Sequence, residues 1–214
     1  MSVAVLLMLG DADLVVVDES TELRVFVGQN GKACYMAVCR GEAGKSALAP
    51  IFRNALDPAA EVILALREVQ SRLARSGARG ESYAIPYSTV HAGEMQGGVA
   101  LNIVPERAEI SFEIRHLVQD DPAELLAELK AALPEGVSIA QTNAYPGLNA
   151  ALTHSLQSQL GALVGDPEPI KVAFGTEAGF FANIGLPTAV IGPGSMARDG
   201  HQQHEGLDVA QLHV

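Results

Sequence analysis

The chain has 214 residues, of which 48% are hydrophobic and 18% charged. That is long for one domain and short for two full ones, and the balance buries a core and excludes a disordered polymer. The net charge of −11 repels a phosphate backbone, so nucleic acid and anionic membrane surfaces are not expected as partners, and a cytoplasmic location is expected.

The N-terminal run "MSVAVLLMLGDADLVVV" has no basic lead and no small-residue cleavage site, and its apolar part is too short to span a bilayer. It is read as neither a leader nor an anchor. Within it, residues 14–17, "LVVV", suit a short buried strand. After "DEST" the chain reads extended through "LRVFV", then turns at "GQNGK". "KACYMAVC" alternates as a strand and sets Cys34 and Cys39 on opposite faces, so they do not pair, and they form no CxxC knuckle.

"LDPAAEVILALREVQSRLARSG" reads as a helix with Asp57 as N-cap, Pro58 in the first turn and Gly77 as the stop. Val62, Leu66, Val69 and Leu73 recur at helical spacing. "YSTVHAG" and "AEISFEIRHL" are strands, the second with Ile110, Phe112 and Ile114 facing one way and Ser111, Glu113 and Arg115 the other. "DDPAELLAELKAALPEG" starts a helix on Asp-Pro again, with Leu125, Leu129 and Leu133 on one face, and "GVSIAQT" closes as a strand. The order from about 32 to 142 is β-α-β-β-α-β, the ferredoxin-like arrangement of a four-stranded antiparallel sheet with two helices on one face.

The remainder is of another kind. "NAALTHSLQSQLGALVG" is helical, "IKVAF" a strand, "GTEAGFFANIG" a loop leading into a short helix, and "LPTAVIGPGS" a buried strand and turn. Strands alternating with helices suggest a parallel α/β layer, to which the strand at 14–17 belongs. The fold class is therefore α/β, residues 1–29 and 143–214, with an inserted α+β ferredoxin-like domain at 30–142.

"RDGHQQHEGLD" concentrates His201, His204 and Glu205 near the end of the chain, but flanking glycines argue for a loop and the spacing is not that of a helical zinc motif. Thr176 and Glu177 stand in a glycine-flanked turn that either binds a carboxylate through backbone N–H groups or merely caps a helix. Arg115 is either a solvated sheet residue or a fork for a carboxylate.

Taken in order, "LRVFVGQNGKACYMAVCRGEAGKSALAP", "GGVALNIVPERAEISFEIR", "FGTEAGFF" and "IGLPTAVIGPGS" followed by His201 resemble the acetylornithine deacetylase and succinyl-diaminopimelate desuccinylase family of zinc amidohydrolases, from about residue 13 to the end. The resemblance implies an α/β metallohydrolase domain carrying a dimerisation, or lid, domain. It implies a homodimer and hydrolysis of the N-acyl bond of an N-acyl amino acid, N-acetyl-L-ornithine foremost, in arginine biosynthesis. It also implies two zinc ions, for which cobalt substitutes. "DEST" stands where the family has G-E-P-T, so Glu19 and His201 match metal ligands. Asn102, Arg115 and Thr176 match contacts to the substrate carboxylate, with Glu177 and Gly179 in the same loop. Lys45 takes the place of a histidine that steadies the oxyanion across the dimer.

The family's H-x-D segment, bridging Asp and Glu-Glu pair lie upstream of the G-E-P-T position, and none occurs in the eighteen residues before Glu19. Each zinc wants about four ligands. This chain is therefore expected to be an N-terminally truncated member, a missing N-terminal half being a possible partner, with an incomplete or absent metal site and no appreciable hydrolysis alone. Two other readings stand beside it: a non-catalytic dimerising or amino-acid-binding remnant, and a mononuclear zinc hydrolase using Glu19, His201 and His204. An α/β part without its other strands would leave an unpaired edge and apolar surface.

Overall fold

The computed structural model describes residues 12–150, 152–165, 168–172, 174–196, 198, 203–204 and 206–213. Contacts divide them into two units. One holds Lys32–Gly80 and Tyr87–Ala144; the other holds 12–31, Glu81–Pro86 and the described residues from Tyr145 on.

In the first unit, strand β3 (Gly31–Arg40), helix α1 (Leu56–Ser76), strands β5 (Thr89–Gly97) and β7 (Arg107–His116), helix α2 (Pro122–Ala131) and strand β8 (Val137–Tyr145) follow in the expected order. The sheet order is β5-β7-β3-β8, the ferredoxin-like order, with β5 and β7 antiparallel. Period-2 alternation does what it should: Ala33, Tyr35, Ala37 and Cys39 of β3 and Ile110, Phe112 and Ile114 of β7 are buried. They meet Val62, Leu66, Val69 and Leu73 of α1 and Leu125 and Leu129 of α2, with Leu133 partly buried, in one core. Cys34 is half-buried on the opposite face from Cys39, and burial pushes the Cys39 thiol up.

Helix α1 starts differently from its expected cap. Asn54 Oδ1 accepts the Leu56 N–H at 2.9 Å, so the helix begins before Asp57, which lies in the first turn. A cap needs only to reach an open N–H, and Asn54 is better placed than the Asp-Pro pair. At the other end Gly77 closes the helix with extended backbone, and Arg79 donates to the carbonyls of Leu73 (3.1 Å) and Ala74 (2.7 Å). Helix α2 has the expected cap: Asp121 accepts the Ala123 N–H at 2.8 Å.

A small arm interrupts this unit. Strands β4 (Gly44–Lys45) and β6 (Ile103–Val104) pair antiparallel, followed by a 3-10 helix at Ser46–Ile51. The arm exposes Leu48, Ile51, Val99 and Leu101.

The second unit contains strands β1 (Val15–Val17), β2 (Phe26–Gln29), β9 (Leu148–Asn149), β10 (Ile170–Val172) and β11 (Thr188–Val190), with helices α3 (His154–Val164) and α4 (Ala178–Asn183). The sheet order is β1-β11-β2-β10, with β9 on β2. β1 pairs with β11 in parallel, as Val15↔Thr188 through Val17↔Val190, so the strand at 14–17 does join the C-terminal pieces. The expected parallel layer is corrected to a mixed one, because β2 meets β11 and β9 antiparallel and β10 in parallel. Helix α3 is shorter than its apolar pattern, since Leu148–Asn149 is drawn into the sheet; Thr153 caps it and Gly165 ends it at φ 73°. Among the described residues β1 is an edge strand, with Val16 51% exposed.

The expected turn at "GQNGK" does not form. Gln29 and Asn30 are buried and β3 begins at Gly31, so the chain passes extended from β2 into β3. Glycine and asparagine read as turn-formers only while their polar groups face water, and here Gln29 finds its partners inside.

Candidate functional site

Glu19 follows β1, and Gly192–Gly194 follow β11 at the same carboxyl end of the parallel pair, where open α/β sheets place ligands. Thr21 ties these two loops: its Oγ1 donates to Gly192 O (3.1 Å) and accepts the Gly192 N–H (3.0 Å). Asp18, Glu19, Ser20, Pro193, Gly194, Gly206 and Leu207 line a shallow acidic cleft. His201 and Glu205 lie outside the described residues, and His204 is exposed in a turn. The described donors there are two carboxylates. Among the described residues no three His, Cys, Asp or Glu side chains gather to hold a metal, so they do not complete a zinc site.

The Gly-Thr-Glu-Ala-Gly loop follows β10. Because β2 and β10 run antiparallel to β11, this loop leaves the sheet in the opposite sense to the loops bearing Glu19 and Gly192. Thr176 is buried and its hydroxyl is committed on both sides: it donates to Gln29 Oε1 (2.8 Å) and accepts the Ala178 N–H (3.1 Å). The N-cap position is Glu177, which is exposed and makes no side-chain cap, so the hydroxyl one residue earlier serves helix α4. Gly179 has no room for a side chain, a Cβ there falling 2.4 Å from Pro146 O and 2.7 Å from Gly147 O.

In the ferredoxin-like unit, Arg115 lies on the open face of the sheet. Its Nε donates to Glu113 Oε1 at 3.0 Å, while Lys32 Nζ reaches Glu113 Oε2 at 2.9 Å. Burial pushes the Glu113 carboxyl up, but the hydrogen bonds and charges of Lys32 and Arg115 outweigh it and hold the group below its ordinary value. The same bond to Glu113 holds the Lys32 ammonium above its own ordinary value against partial burial.

Lys45 and Asn102 sit together on the arm: Lys45 pairs with Ile103, and the Ser46 N–H donates to Asn102 O at 3.1 Å. Both are exposed. Gly97, opposite Ala108, marks the arm's end of β7, and Arg115 stands opposite Thr89 at the other end. At about 3.3 Å per residue, more than 20 Å of strand separates them. The residues singled out from the sequence thus fall into distinct clusters: Glu19 with the Pro193–Gly194 turn, Thr176 and Gly179 with Gln29 and Pro146, Arg115 with Glu113 and Lys32, and Lys45 with Asn102. Gln29 and Glu113 escaped the reading of single motifs. For Glu113 a signal existed, since it lies two residues from Arg115 on one strand face and is its natural ion-pair partner.

A layered α/β unit is thus interrupted in the chain by a ferredoxin-like α+β unit. Residues 27–138 match the model of the M20 peptidase dimerisation domain, and the chain belongs to that family. It is 29% identical over 206 residues to the acetylornithine deacetylase of Proteus mirabilis, covering 92% of this chain and 52% of that protein. To the acetylornithine deacetylase of Erwinia tasmaniensis it is 28% identical over 206 residues, covering 92% and 53%. The chain spans about half the length of these relatives. Among solved structures, aminopeptidase PepT of Bacillus cereus superposes with a TM-score of 0.68 at 22% identity, covering 86% of this chain and 49% of that one. A tripeptidase of Staphylococcus aureus superposes with a TM-score of 0.63 at 20% identity, covering 86% and 49%. These likenesses show the fold.

Proposed function

We propose that this chain serves as the substrate-binding and dimerising part of a metal-dependent amidohydrolase that cleaves the N-acyl bond of an N-acyl amino acid, N-acetyl-L-ornithine being the leading substrate. The observation that carries the reading is the 206-residue similarity to proteins named acetylornithine deacetylase. In this reading Arg115, oriented by Glu113, forks the substrate carboxylate. Asn102 and the 175–179 loop, with Thr176, Glu177 and Gly179, complete its recognition. Lys45 donates a charged hydrogen bond to the oxyanion in place of a histidine. Glu19 and His201 are the chain's donors toward zinc or cobalt, which when bound would acidify a water and polarise the amide carbonyl. The described donors alone fall short of such a centre.

The separation of the arm from Arg115 supports a homodimer. A small ligand does not reach both Asn102 and Arg115 of one copy, whereas two copies supply one each. Leu48, Ile51, Val99 and Leu101, exposed around Lys45 and Asn102, are the kind of apolar surface that a partner copy covers.

A second reading, a binding protein without catalysis, is favoured by Lys45 at the position of the family's histidine. Zinc bound per freshly purified chain separates the two: bound zinc favours the amidohydrolase part, and none favours the binding protein. No turnover by this chain alone is expected. Metal-dependent turnover that survives rigorous purification would show that unrecognised donors complete the centre.

A further inference from the structure

Gln29 ends β2 with 1% of its surface exposed, so every polar atom of its amide needs an internal partner. It finds them almost entirely in one residue. Oε1 accepts the backbone N–H of Thr176 (3.0 Å) and its hydroxyl (2.8 Å), and Nε2 donates to the backbone O of Thr176 (2.8 Å). The second Nε2 hydrogen reaches Pro146 O at 3.4 Å. The two backbone groups of Thr176 fix which end of the amide is oxygen and which is nitrogen. The side chain thus treats the loop as a neighbouring strand would, holding its N–H and C=O together.

This arrangement changes what the loop can offer a ligand. The only proton of the Thr176 hydroxyl is given to Gln29, so Thr176 does not donate it to an anion while that bond holds. What remains for recognition is the loop's shape, and the shape is tied twice to the same amide. Pro146, the fourth partner of Gln29, is also the residue whose carbonyl crowds Gly179, and the ring of the adjoining Tyr145 lies 2.0 Å from where a Cβ on Gly175 would be. Both glycines of the loop therefore lie against the Tyr145–Gly147 segment, part of which Gln29 holds.

We propose that Gln29 is a positioning residue for the Gly175–Gly179 loop: its buried amide sets the loop geometry that presents the carboxylate-binding groups. The proposal rests on the reading of this loop as part of a carboxylate site. No other side chain replaces it. Glutamate keeps the acceptors but loses the donor that meets Thr176 O, asparagine is one methylene too short, and methionine has neither group.

The test uses Gln29→Glu in the full chain, because its failure is reversible. Ionised at pH 8, the carboxylate faces the Thr176 carbonyl; protonated at pH 5, it regains an O–H donor, and burial favours that protonation. Two readouts are taken at each pH, with the wild type as control: hydrogen exchange of the Thr176 amide, and the affinity for N-acetyl-L-ornithine. At pH 8 the variant is expected to lose at least about tenfold in each, as for a buried group left unpaired. Both losses should shrink at pH 5. The Ile191 amide, bonded to Val17 O at 3.0 Å in the same unit, reports whether the unit remains folded. If it does not, Gln29→Asn carries the test, with the same losses and no recovery at pH 5. Wild-type exchange and affinity in a folded variant at pH 8 would overturn the proposal. A wild-type chain that binds no N-acetyl-L-ornithine would refute the carboxylate reading and with it the site role of Gln29, while Thr176 exchange would still decide whether Gln29 anchors the loop.

Discussion

Replacing Gly179 with alanine tests the packing of the candidate loop by the smallest possible perturbation. The added Cβ would stand 2.4 Å from Pro146 O, 2.7 Å from Gly147 O and 2.9 Å from Pro146 C, about 1 Å short of ordinary contact. All three neighbours are backbone atoms, so no side chain can swing aside. Either helix α4 lifts from the Tyr145–Gly147 segment or that segment leaves Gln29, and overpacking of this kind costs about 1–3 kcal/mol. Gly93→Ala is the internal control, because a Cβ there meets nothing within 4 Å and the position has no positive φ. Urea denaturation followed by circular dichroism, with hydrogen exchange at Thr176 as a local readout, should show Gly179→Ala destabilised and its loop opened. Gly93→Ala should track the wild type. Equal stability and equal Thr176 protection in both variants would refute the claim that the loop is wedged against Pro146.

Further expectations concern the ferredoxin-like unit. Ile110, fully buried between the sheet and its helices, should cost about 2–5 kcal/mol when cut to alanine, read from the urea midpoint. Glu113 has a folded pKa below its unfolded one, so its stabilisation is present above the ordinary carboxylate value of 4.5 and fades as pH falls through the folded value. Lys32 is raised, so its part is present below the ordinary 10.5 and fades as pH rises through the folded value. Glu113→Gln should flatten both limbs of a stability-pH curve. The effect is about 1 kcal/mol or less, because Lys32, Glu113 and Arg115 each keep roughly a quarter of the side chain in water. Unchanged limbs would show that the pair does not form in solution.

The ferredoxin-like unit was legible because its signals agree across levels. Alternation in "AEISFEIRHL" and the 3-4 spacing of Val62, Leu66, Val69 and Leu73 depend only on which face meets the core, and tertiary structure has no reason to override them. The α/β unit was less legible. Its strands are two to four residues long, too short for a period to show, and the mixed pairing around β2 is decided by partners distant in the chain. Gln29 was hidden by composition: "GQNGK" has the residues of a turn, and only the fold brings Thr176 to satisfy the amide. Asp57-Pro58 misled for a related reason, since a good N-cap sequence was pre-empted by Asn54 three residues earlier. The residues of the candidate site could be named from a resemblance but not assembled, because the clusters they form depend on contacts no local pattern encodes.

Recognition of the carboxylate of an N-acyl amino acid by this chain, as proposed, is decided by calorimetric titration of the purified chain with N-acetyl-L-ornithine and with its methyl ester. Saturable binding of the free acid is expected, weakened strongly in the ester and in Arg115→Leu. No binding of the acid, or equal binding of acid and ester, would contradict it.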